Sequence, residues 1–144
     1  MKAQNKDLTP WQTKLNKDAT HQVKILDKKF ADMPANSSML IATPKIIDQF
    51  IRKIPKGKSK SLKEMRVSLA KKYSADYTCP VTSGIFLRIV AEAAFESYII
   101  GKQPLDKITP FWRLIEVDSH LAKKLSFGED FIRQMKKQES VSQE

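Results

Sequence analysis

Apolar residues recur at spacings of three and four in several stretches of this chain, the pattern of helices that bury one face. The first stretch holds Ile46, Ile47, Phe50, Ile51 and Ile54. Thr43 is placed to cap it, Pro44 suits the first helical position, and Pro55 and Gly57 end it. A second helix is predicted from Ser61, where Ser61 and Glu64 have capping-box spacing and Leu62, Met65, Leu69 and Tyr73 form the stripe. Ser74-Ala75-Asp76 reads as a turn. A third helix is predicted from Thr78-Cys79-Pro80 to about Ile100. Val81, Ile85, Ile89 and Ala93 define its apolar face, with Phe86 and Val90 beside them, and Arg88, Glu92 and Glu96 lie on another face. Gly101 suits the exit, and a proline-bounded loop follows from Gln103-Pro104 to Thr109-Pro110.

Beyond Pro110 the pattern changes. Phe111 to Val117 is an apolar run broken by Arg113 and Glu116, which reads as a strand or as an irregular buried segment. Residues 119–126 suggest a short helix. Glu129 and Asp130 open a final helix that is expected to end among Lys136 and Lys137, charges that suit the helix dipole at both ends. Three organisational units follow: a basic, partly ordered arm over residues 1–36, a compact domain over 37–137, and a polar tail over 138–144 that frays. Trp11, Val23, Ile25, Leu26 and Phe30 are the arm's residues able to dock on that domain. Helices joined by a short turn permit a helix-turn-helix reading, a common arrangement by itself.

Charge narrows the function classes. The 144 residues carry a formal net charge of +10, so polyanions are the expected partners, nucleic acid before anionic membrane, against the alternative of a merely solubilising charge. Lysine and arginine crowd the stretch 51–74, where Glu64 is the lone acid. Its centre is a loop that feeds a helix start, with Lys56, Gly57, Lys58, Lys60 and Ser61 placed to meet phosphates; the alternative is a solvated face. Thr82 and Ser83, at the start of the third helix, join them as candidate DNA contacts. The first residues lack the apolar core of a signal peptide, and no apolar run is long enough for a membrane span, so a cytoplasmic location is expected. Cys79 is the single cysteine, and His21 and His120 are the two histidines. No metal-ligand spacing arises among them, and no metal or cofactor is expected.

The order of features resembles the C-terminal domain of the O6-alkylguanine-DNA alkyltransferases. That domain has an Ile-Pro-x-Gly-(Lys/Glu) loop, a Ser/Thr-Tyr-Gly helix start, a recognition helix with Arg-Ala-Val-Gly, an Asn-Pro hinge and a Pro-Cys-His-Arg-Val active site. The counterparts here are Ile54-Pro55-Lys56-Gly57-Lys58, Ser61-Leu62-Lys63, Arg88-Ile89-Val90-Ala91, Gln103-Pro104 and Pro110-Phe111-Trp112-Arg113-Leu114-Ile115. The resemblance covers residues 44–134 and implies a mostly α, winged helix-turn-helix DNA-binding domain. The acceptor cysteine falls on Phe111, which cannot attack an alkyl carbon. The activating histidine falls on Trp112, and the nucleotide-rotating tyrosine on Leu62.

The resemblance thus implies an alkyltransferase-like protein: a non-catalytic monomer that binds alkylated double-stranded DNA by nucleotide flipping and hands the lesion to other repair proteins. Leu62, Pro110, Phe111, Trp112 and Arg113 are the implied lesion pocket. Phe111 and Trp112 either stack on the extruded base or pack in the core, and Arg113 anchors the loop. Arg88 is either the arginine inserted into the duplex or half of a surface pair with Glu92. Two alternatives remain: an alkyl acceptor using Cys79, or a general nucleic-acid-binding module without lesion preference.

Overall fold

A computed structural model describes residues 9–142. Residues 1–8 of the expected arm and residues 143–144 of the expected tail lie outside the described residues. Six α-helices are described: α1 (Pro10–Leu15), α2 (Pro44–Arg52), α3 (Leu62–Lys72), α4 (Pro80–Ile99), α5 (His120–Lys124) and α6 (Asp130–Ser142). They combine with a three-stranded sheet of β1 (Gln22–Ile25), β2 (Ser38–Ile41) and β3 (Tyr77–Thr78), in that order. The fold is therefore mixed α/β, where the sequence pattern suggested a mostly α domain. The strands escaped notice because β1 is exposed throughout, and β2 and β3 are too short to reveal an alternating pattern. β1 pairs antiparallel with β2, and β2 pairs in parallel with β3 through Met39↔Tyr77 and Leu40↔Thr78. Ser38 and Asp76 lock that edge by exchanging backbone N–H donors for each other's side-chain oxygens, at 2.9 and 2.8 Å.

The helix starts follow local chemistry. Thr43 Oγ1 accepts from the Ile46 N–H at 3.2 Å, and Pro44 occupies the first turn of α2. Ser61 and Glu64 complete a reciprocal capping box on α3. At the exit of α4 a Cβ on Gly101 would lie 2.8 Å from the Ser97 carbonyl oxygen, so only glycine fits that close approach.

The buried face of α4 is the expected one only in part: Ile89, Val90 and Ala93 are buried, but Val81 and Ile85 are not. Leu87, Val90, Ala91 and Ala94 enter the main core with Leu40, Ile47, Ile51, Phe111 and Trp112. Val81 and Ile85 are each 54% exposed. Glu92, expected on a solvent face, is 2% exposed because Ser126 satisfies its carboxylate through both its N–H and its hydroxyl. The connection over residues 73–79 contains Ser74 at φ 57° and all of β3, and is longer than a three- or four-residue helix-turn-helix turn.

Phe111 to Arg113 forms a single 3₁₀ turn with Phe111 and Trp112 buried, the irregular buried segment of the two readings and not the strand. α6 continues past Lys137, where the pattern placed a fraying tail, because Glu139 is drawn into the core by Trp112 and Arg113. A second, smaller cluster of Met33, Met39 and Cys79 is covered by Leu26 and Tyr77. No helix among the described residues is long and apolar enough to cross a membrane.

Candidate functional site

The lysine-rich loop between α2 and α3 is held from beneath. Arg113 Nη1 donates to the Ile54 carbonyl at 2.8 Å, and the Lys60 N–H donates to the Arg113 carbonyl at 2.9 Å. The Gly57 N–H donates to Glu139 at 3.3 Å, and the Lys58 N–H closes onto the Pro55 carbonyl at 3.0 Å. Glu139 is the hub of this anchor. It accepts Trp112 Nε1–H at 2.8 Å and Arg113 Nη2–H at 2.8 Å. Burial alone would raise the Glu139 carboxyl, but the hydrogen bonds from Arg113, Trp112 and Gly57, with the guanidinium charge, hold it below the ordinary carboxylate value.

With those amides turned inward, the loop offers its ammonium groups outward. Lys56, Lys58 and Lys60 are exposed, and none of them forms an ion pair among the described residues. The start of α3 offers less than expected. The Ser61 hydroxyl and N–H are both committed to Glu64, whose carboxyl is held low first by the Ser61 N–H and would repel a phosphate placed there. An anion approaching this region would therefore meet the lysines rather than the helix terminus.

Beside this loop lies a groove of about 880 Å³ between α1, α3, α4 and residues 114–124. That volume is within the range of small-molecule clefts, roughly 300–1,000 Å³. Leu62, Val81, Ile85, Leu114, Ile115 and Leu121 supply its apolar surface. Lys14, Lys63, Arg88 and Lys124 face it against one carboxylate, Glu116. Gly84 opens onto it with no heavy atom within 4 Å of where a Cβ would sit, so its bare backbone widens the groove.

The groove gathers some of the residues singled out from sequence and excludes others. Ser61, Leu62 and Arg88 line it. Arg88 Nε lies 3.5 Å from the buried Glu92 carboxylate, so the expected surface pair is in fact an arginine steered by a core acid. Thr82 and Ser83 are out of phase with the groove-facing positions 81, 84, 85 and 88. Ser83 is buried and donates to the Cys79 carbonyl at 2.6 Å, which removes it from any DNA contact. Thr82 carries a buried Oγ1 with no hydrogen-bond partner among the described residues.

The expected lesion pocket around Pro110, Phe111 and Trp112 is core, with Trp112 and Arg113 bordering only a small cavity of about 210 Å³ beside Gly57 and Lys58. Phe111 is 0% and Trp112 2% exposed. Phe111 packs on Phe127 and Phe131 at centroid distances of 5.6 and 5.8 Å, and Trp112 on Phe131 at 6.0 Å. Neither ring has a face free for a base, so core packing is the role they play. Arg113 is the loop's anchor. Cys79 is buried against Met33 and Met39 and is not part of the groove lining.

Trp11 is the residue that sequence reasoning missed as part of a site: it lines the groove from α1. Its isolation in a polar, lysine-rich segment is the signal that could have found it. Among the described residues no cluster of His, Cys, Asp and Glu could hold a metal ion. The chain matches no family model, no curated protein and no solved structure.

Proposed function

We propose that this chain is a non-catalytic DNA-binding protein of winged helix-turn-helix type that recognises alkylated bases and passes them to other repair proteins. The observation that carries the reading is the adjacency of two features. A backbone-anchored loop presents Lys56, Lys58 and Lys60 outside any ion pair among the described residues. Next to it opens an apolar groove rimmed by four cations and one carboxylate. The lysines suit consecutive phosphates of a duplex. The groove suits a nucleotide taken out of the stack, whose base is apolar in cross-section and whose backbone is anionic. In this reading α4 is the helix presented to the duplex, and β1 and β2 supply the antiparallel pair that a wing requires.

A binding role is favoured over alkyl transfer because the groove lacks an activated nucleophile. Cys79 is buried elsewhere, and the hydroxyls of Ser61 and Ser119 serve as helix caps, accepting from the Glu64 and Ala122 N–H groups. The test is a titration of duplexes with and without a single O6-methylguanine, across a range of salt concentrations. Salt-sensitive binding with tighter capture of the lesion duplex is expected, with the protein's mass unchanged afterwards. Equal affinity for the two duplexes would reduce the chain to a general binder. A methyl adduct on the protein would make it an acceptor.

A further inference from the structure

Residues 10–15 form α1, a short helix with no buried residue of its own. Its local chemistry is complete: Thr9 caps it by accepting from the Gln12 N–H at 3.1 Å, and Pro10 fills the first turn. Its docking is specific. Gln12 Nε2 donates to the Ala93 carbonyl at 2.6 Å and to Ser97 Oγ at 3.1 Å, and the Thr9 hydroxyl donates to Glu96. These three contacts all fall on α4, and they carry Trp11 into the groove wall.

Trp11 stays partly exposed on a helix whose packing on the core runs through Leu15. Its surroundings are those of a ligand site. The Arg88 guanidinium carbon lies 5.2 Å from the Trp11 ring centroid and the Lys14 ammonium 4.9 Å, both within cation–π range. Arg88 is in turn steered by the buried Glu92. The groove thus has one indole with the Arg88 and Lys14 cations over its ring, and Ile85 and Leu121 in the same lining. A flat π-system that carries anionic groups complements that arrangement, its ring replacing the cations over the indole and its anions taking up their charge, which is the chemistry of a nucleobase between its two phosphates.

We infer that Trp11 is the stacking wall of this groove, so that the N-terminal helix, and not the Phe111-Trp112 segment, supplies the aromatic surface for an extruded nucleobase. This inference rests on the nucleic-acid reading above and adds α1 to the site. Gln12 is a positioning residue, because it holds α1 on α4 and reaches the ligand only through Trp11.

The experiment uses the full chain and two probes, a duplex with one bulged, unpaired base and the same duplex fully paired. Trp11 and Trp112 are the two tryptophans, and Trp112 is buried, so tryptophan emission isolates Trp11 as the responsive fluorophore. The bulged duplex is expected to quench the emission of the unaltered protein. In Trp11→Ala the quench disappears and the preference for the bulged over the paired duplex falls by about 5- to 150-fold. Affinity for the paired duplex and the melting temperature stay as they were. Trp11→Phe retains most of the preference, since a phenyl ring still stacks, and Gln12→Ala loses part of it. A full preference in Trp11→Ala, or a quench that survives that change, overturns the inference while leaving salt-sensitive duplex binding intact. Failure of the unaltered protein to bind either duplex at low salt overturns both this inference and the reading beneath it.

Discussion

Replacing Glu139 by Gln tests the anchor beneath the lysine loop. The change keeps the side chain's shape and one carbonyl acceptor, but removes the charge that faces the Arg113 guanidinium and one of the oxygens shared by Trp112, Arg113 and Gly57. Removing one partner of a buried pair costs about 3–5 kcal/mol. Gln keeps part of the hydrogen bonding, so a loss of about 2–3 kcal/mol is expected. A chain of 144 residues has an unfolding entropy near 0.3 kcal/mol/K, so the melting temperature should fall by roughly 7–10 °C. The pH dependence has a definite sign. The folded-state value of Glu139 is lowered, so its contribution is complete above the unfolded value of 4.5 and is lost as pH falls through the folded one. The gap between the two proteins is therefore widest near neutrality and closes on acidification. Calorimetric melts at about pH 7 and about pH 3 measure it. A gap at neutrality below about 2 °C, or one that persists unchanged in acid, would refute the account of Glu139 as a paired, buried anion.

Three further outcomes follow from the same geometry. Changing Lys56, Lys58 and Lys60 together to Ala should lower the log–log salt slope of duplex binding by about 0.9 for each phosphate the loop no longer neutralises, without moving the melt; an unaltered slope would remove the loop from the interface. Gly84→Leu should raise helix stability by about 1 kcal/mol, since no heavy atom obstructs the new Cβ, while abolishing the preference for a bulged duplex by filling the groove; a retained preference would mean that no base enters there. Trp112→Ala should cost about 3–5 kcal/mol in denaturant melts, with binding to damaged and undamaged duplexes declining together as the fold weakens; a selective loss of lesion preference would contradict the burial of that ring.

Where a local signal is sufficient to define an element, the sequence was readable. The Ser61–Glu64 box and the Thr43-Pro44 start depend on residues three or fewer apart, and both stand where the pattern puts them. The strands were not readable, because β1 spans only four residues and its apolar Val23 and Ile25 stay exposed, held by backbone pairing to β2 rather than by packing. The phase of α4 was legible only in its second half, where Ile89, Val90 and Ala93 are buried as expected. It is apolar nearly all round, so periodicity alone could not decide between the Leu87-Val90-Ala94 face and the Val81-Ile85 face. The deciding contacts come from Ile47, Ile51 and Phe111, far away in sequence.

The same limit explains why the aromatic candidates exchanged roles. Sequence reasoning looked for a stacking ring beside Arg113, where Phe111 and Trp112 follow a proline. Their fate is set by partners well beyond them in the chain: Phe131 covers both rings, and Glu139 takes the indole N–H. A tryptophan whose N–H finds a buried carboxylate is satisfied inside and has no reason to face a ligand. The neighbours of the Trp11 ring are instead cations, Lys14 and Arg88. Burial of a tryptophan thus depends on an acceptor for its N–H as much as on its apolar area, and the acidic residues that could reach each ring separate the two. Glu139, on the polar stretch that looked like a fraying tail, is the residue that makes Trp112 structural and leaves Trp11 as the groove's aromatic surface.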